Sequence, residues 1–116
     1  MAADRPLGEV IAERELAFTR QDGSVEVVIV RIGRPVPTDP KNEDWYCPYR
    51  ILGFGREKNM AMVGVDSIQS LFLTLSVISS ELNHLETKEK GVFDWLGSRD
   101  CGFPEFPVSP AGSRGD

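Results

Sequence analysis

Apolar and polar residues alternate along the first half of the chain, and apolar residues recur at helical spacing in part of the second half. Over 9–19, Ala12, Leu16 and Phe18 fall on one side of an extended chain, and Glu13 and Glu15 on the other, which predicts a strand. Arg14 interrupts the apolar side and suggests an edge position. The same residue types also favour a helix. The Gln21-Asp22-Gly23-Ser24 that follows decides for a strand, because Asp-Gly supplies the positive φ angles of a tight hairpin turn. In the run 25–32, Val25, Val27 and Ile29 point one way and Val28, Val30 and Ile32 the other. A strand apolar on both sides is expected to be covered on both.

Gly33, Pro35 and Pro37 end that strand, and 38–44 reads as a polar surface loop. The aromatic segment 45–55 reads as a bulged or edge strand around Pro48, 56–59 as a turn, and 60–64 as a short fourth strand. Asp66-Ser67-Ile68-Gln69 has the form of a capping box and starts a helix expected to run from Ser67 to about Glu86. Ile68, Leu71, Phe72, Leu75, Ile78, Leu82 and Leu85 form its apolar stripe, expected to lie on the sheet. A last short strand over 92–96 and a loop over 97–107 follow. The predicted fold is α+β, an antiparallel sheet of about four strands with one long helix packed on one face, in the order β-β-β-β-α. Residues 1–108 read as one domain and 109–116, small and polar, as a disordered C-terminal tail.

Composition sharpens this picture in three ways. A chain of 116 residues, 41% hydrophobic and 27% charged, can bury a core of its own and is too apolar to be disordered. Its 13 basic and 18 acidic residues give a net charge of −5, which repels nucleic acid unless the basic residues gather on one face. They are scattered along the whole chain, from Arg5 to Arg114, so no nucleic-acid partner is expected. The most apolar stretch, 68–85, is broken by Gln69, Ser70, Thr74, Ser76, Ser79, Ser80 and Glu81, whereas a membrane span needs about 20 nearly unbroken apolar residues. No apolar leader is visible either, so the cytoplasm, and no membrane, is the expectation.

Candidate chemistry is sparse. Cys47, Cys101 and the only histidine, His84, offer a Cys–His pairing without any local motif, and free cysteines are usually small buried hydrophobes. Two cysteines and one histidine lack zinc spacing, so no metal or other cofactor is expected. Gly53-Phe54-Gly55 precedes a turn rather than a helix, which leaves a bulge or a close backbone approach in place of a phosphate cradle. No catalytic residue is assigned. Alternation along 45–50 puts Trp45, Cys47 and Tyr49 on one side and Tyr46 and Pro48 on the other, with Arg50 beyond. Trp45, Tyr46, Tyr49 and Arg50 are therefore candidates for binding. Leu73, Val77 and His84 fall opposite the helix stripe and are candidates for self-association. One helix covers one face of a sheet. The other face calls either for the C-terminal segment with Phe93, Trp95, Phe103 and Phe106 or for a second subunit.

Three segments together, Trp45-x-Cys47-Pro48-Tyr49-x-Ile51-x-Gly53, Gly64 through Leu71, and Leu96-Gly97 followed by Asp100-x-Gly102-Phe103-Pro104, resemble a family of short bacterial proteins of unknown function. The resemblance spans most of the chain apart from its ends. It implies a bacterial cytoplasmic origin and a free-standing domain, and brings no activity, cofactor or catalytic residue. The residues thus lead to a non-enzymatic interaction or self-associating module whose partner is a second copy of the chain or another protein. The alternative is a small-molecule-binding protein or enzyme with a pocket between the helix and the aromatic strand 45–55.

Overall fold

The computed structural model describes residues 6–39, 41 and 43–104, with the backbone alone at Lys58. Phe106 and the tail expected over 109–116 lie outside the described residues. Among the described residues six strands and one helix follow in the order β1 (Val10–Arg20), β2 (Val25–Gly33), β3 (Val36–Pro37), β4 (Trp45–Gly53), β5 (Arg56–Gly64), α1 (Ser67–Glu89) and β6 (Gly91–Asp94). All pairings are antiparallel. The class is α+β as read from the sequence. The sheet is larger than four strands: β3 is not among the expected strands, and the short strand expected over 92–96 is present as β6 after the helix and joins the same sheet beside β1.

The sheet runs β5-β4-β2-β1-β6, with β3 beside β4 where β2 has ended. β5 occupies one whole edge of β4, while β2 and β3 share the other, β2 against Tyr49–Leu52 and β3 against Trp45–Tyr46. Pro48 falls in the gap between them. A two-residue hairpin loop makes its flanking residues a hydrogen-bonded pair, so odd-numbered β4 residues bond β5 and even-numbered ones point to the β2 side. The missing N–H of Pro48 would have pointed into the gap, which is why proline is tolerated inside a strand paired on both edges.

The hairpin itself corrects the sequence reading. The turn is Phe54-Gly55, with φ of 59° and 71°, and not 56–59. Both central angles are positive, as in a type I′ turn. Phe54 is held in that costly conformation by its surroundings: its N–H donates to Glu26 Oε2 at 2.5 Å, and its ring meets Phe18 edge-on at 5.0 Å.

Leu16, Phe18, Val28, Val30, Ile32, Cys47, Tyr49, Ile51 and Phe93 line one face of the sheet, and Ile78, Leu82 and Leu85 of α1 close over them. The helix begins at Asp66, whose carboxylate accepts from the Gln69 N–H at 2.8 Å. Gln69 reaches back to the N–H of Val65 rather than that of Asp66, one residue beyond the usual capping box. The helix runs past Glu86 to Glu89 and stops at Lys90, which is left-handed at φ 61° and bonds the Glu86 carbonyl.

Two parts of the expected packing change. The stripe is rotated in the first half of α1: Ser70 and Thr74 are fully buried there, while Ile68 is 75% exposed and Phe72 half exposed. The C-terminal segment, one of the two covers considered for the far face, packs on the helix side as far as its described residues go. Phe93 is in the core beside Phe18, and Phe103 and Trp95 lie against Arg14. Among the described residues the opposite face therefore keeps Val25 and Val27 61% and 52% exposed, and the two-sided cover expected for β2 is missing at that end. Leu7 covers the other end, crossing so close to Gly33 that a Cβ there would stand 2.1 Å from its carbonyl oxygen.

Candidate functional site

The aromatic strand does not assemble one binding surface. Tyr49 is buried under α1, with its hydroxyl 3.4 Å from Glu81 Oε2, and burial first and the Glu81 charge second push its ionisation well above the usual range. Trp45 lies on the same sheet face, beside Ile68, Leu71, Arg34 and Pro35. Tyr46 is buried on the opposite face. Arg50 is on that face too and donates to Glu57 at 2.5 Å, while its Nε has no hydrogen-bond partner among the described residues. The four candidates are thus divided between two faces of one strand.

The cysteines have separate environments. Cys47 is fully buried, its Sγ 3.6 Å from the Gly33 carbonyl, and burial pushes its thiol up. Cys101 is half-buried, and burial followed by Glu86, Asp100 and Asp94 raises its thiol as well. Both are free. His84 opens on a different cleft from Cys101, and Cys47 is closed inside the core, so the fold does not assemble the Cys–His pairing. Among the described residues no three His, Cys, Asp or Glu side chains are placed to hold a metal ion.

Two clefts, among those along α1, lie on opposite flanks of the helix. One, of ≈ 350 Å³, lies between the helix and the β4–β5 hairpin. Its floor is Ile51, Phe54, Met60 and Leu85, and its rim carries Glu81, His84, Arg56 and Lys88. The other, of ≈ 600 Å³, lies between the helix and the C-terminal segment and is lined by Ser79, Asn83, Glu86, Arg99, Asp100 and Cys101 around Leu82 and Phe93. Glu86 is partly engaged there, accepting from the Phe93 N–H at 2.8 Å. Beside this cleft the Arg14 guanidinium stacks 3.7 Å over Trp95 and donates to the Cys101 carbonyl at 2.9 Å. The arginine that interrupts the apolar side of β1 pins the C-terminal segment down.

A fourth feature was not legible as a site. Among the described residues β5 pairs only with β4, so its outer edge is open along all nine residues. Met60 and Met62 of β5 and Val77 of α1 are half-buried and pack at the margin of the core. Leu73 is half-buried one turn before Val77, and His84 is exposed. His84 lines a cleft with Arg56, Glu57 and Met60 of β5, and helical spacing places Leu73 and Val77 along the same flank of α1. The sequence held one signal, the Met-Ala-Met-Val run without proline or glycine, but not its position at the sheet edge.

Among the described residues no helix is long and apolar enough to cross a membrane. No curated protein and no solved structure matches the chain. Residues 12–105, from β1 to the end of the C-terminal segment, match the domain of unknown function DUF6968, and the chain belongs to that family.

Proposed function

We propose that this domain is a non-enzymatic interaction module that associates with a second copy of itself, in a bacterial cytoplasm. One observation carries the reading: the open edge of β5 is bordered by the half-buried apolar side chains Met60, Met62, Leu73 and Val77. Open strand edges and incompletely covered apolar strips are the places where chains pair. The compartment rests on the resemblance drawn from the sequence. Native mass spectrometry is expected to give twice the chain mass, and Leu73→Glu to return the protein to the monomer. A monomer at every concentration would overturn the proposal.

A second reading, a small-molecule binder, is favoured by the cleft between α1 and the hairpin, where an apolar floor meets Glu81 and His84. A metabolite screen by thermal shift is expected, on this reading, to find a compound that raises the melting temperature, with the rise lost in Glu81→Gln. A screen in which nothing raises it counts against this reading.

A further inference from the structure

We infer that the partner copy adds its own β5 to the open β5 edge, antiparallel and in register about a two-fold axis through Met60, so that one sheet continues through both subunits. This rests on the self-association reading above and specifies its geometry. The hairpin fixes which groups are available. Arg56 and Gly53 flank the two-residue turn and form a hydrogen-bonded pair, so the even-numbered residues of β5 bond β4. The N–H and C=O groups of Glu57, Asn59, Ala61 and Val63 then point to the open edge. Centred on Met60, these residues face Val63, Ala61, Asn59 and Glu57 of the partner subunit, each pair exchanging two bonds, about eight in all. The glutamate faces a valine, and no like charges of these residues stand opposite.

The helix side agrees with the same axis. α1 packs over β4 and β5, with Thr74 bonding the Cys47 carbonyl at 3.4 Å and Glu81 meeting Tyr49. Strands lie about 4.8 Å apart, so a helix centred over β4 and β5 stands about 5 Å from the seam. Its symmetry copy then lies about 10 Å away, at the upper end of the 8–10 Å of packed helices. Cys47 and Tyr49 pair with Met62 and Met60, so Val77, between Thr74 and Glu81, comes close to the axis. Ser80 beside it is small enough for close approach.

The test uses the full chain with Cys47→Ala and Cys101→Ala, Met60→Cys added, under mild oxidation. Facing residues of a non-hydrogen-bonded pair come within disulfide reach, so Met60→Cys is expected to give a covalent dimer, and Val27→Cys on the opposite sheet face is expected to give none. Separately, Ala61→Pro removes an outward N–H without touching the β4 ladder, and is expected to raise the dimer dissociation constant at least about tenfold with far-UV circular dichroism unchanged. A dimer that persists in Ala61→Pro and does not cross-link through Met60→Cys overturns this geometry and leaves self-association standing. A parent protein that is monomeric throughout overturns both.

Discussion

Glu26 holds the β4–β5 turn from a neighbouring strand. Its carboxylate accepts from Arg20 and from the Phe54 N–H, and these two donors, Arg20 first, hold its ionisation below the ordinary 4.5. The folded state therefore binds fewer protons at Glu26 than the unfolded chain does near that pH. The stabilisation is present above about pH 4.5 and fades as the pH falls through the lower, folded value. Both partners are partly exposed, which keeps the effect modest. Glu26→Gln keeps an acceptor for Phe54 and loses the titration. Its melting temperature is expected to fall less steeply with acid than that of the parent protein. Parallel acid limbs in the two proteins would remove Glu26 from the explanation.

At the scale of elements, alternation located β1, β2 and β4 and helical spacing located α1, because each buries one periodic face on the same core. β3 escapes the sequence, since a two-residue strand carries too few residues for a period, whereas the short strand expected over 92–96 is β6, shifted to Gly91–Asp94. The phase of α1 was misread for a different reason. Ser70 and Thr74 are polar, yet their hydroxyls bond the carbonyls of Ser67 and Ser70 at 2.9 Å, so they are buried without orphaned groups. They face inward because Gly64 brings the end of β5 against the helix: a Cβ there would stand 2.5 Å from the Ser70 backbone nitrogen. Backbone cannot rotate aside, so Gly64→Ala must push helix and strand apart. It is expected to lower unfolding free energy by about 1–3 kcal/mol, seen as a lower denaturation midpoint at unchanged slope. An unchanged midpoint would overturn the claim that close contact at Gly64 sets the phase of α1. The sites suffered from the same blindness: Tyr49 with Glu81 and Arg14 with Trp95 are joined by the fold across long stretches of chain, and no local spacing announces them.

Among the described residues α1 and the segment after β6 pack on one face of the sheet, and the two thiols lie at different depths in that packing. Cys47 lies in the core between β4 and α1, where only loss of the sheet or the helix exposes it. Cys101 is in the segment after β6, held by Arg14 through a carbonyl hydrogen bond and by the packing of Phe103 beside it. Local openings cost less than global unfolding wherever few buried groups tie a segment down. A thiol reagent is therefore expected to label Cys101 in the native protein and Cys47 only on the time course of global unfolding, with the Cys47 rate rising with denaturant as the unfolding equilibrium does. Both thiols titrate high, so labelling is slow at neutral pH and speeds up toward alkaline pH at either site. The comparison is best made in Cys47→Ala and Cys101→Ala singly. Trp95→Ala removes the ring under which Arg14 is stacked, and is expected to quicken Cys101 labelling several-fold while leaving Cys47 at the rate set by global stability. If both thiols quicken together, the C-terminal segment and the sheet unfold as one unit, and Arg14 secures the whole core rather than its last segment.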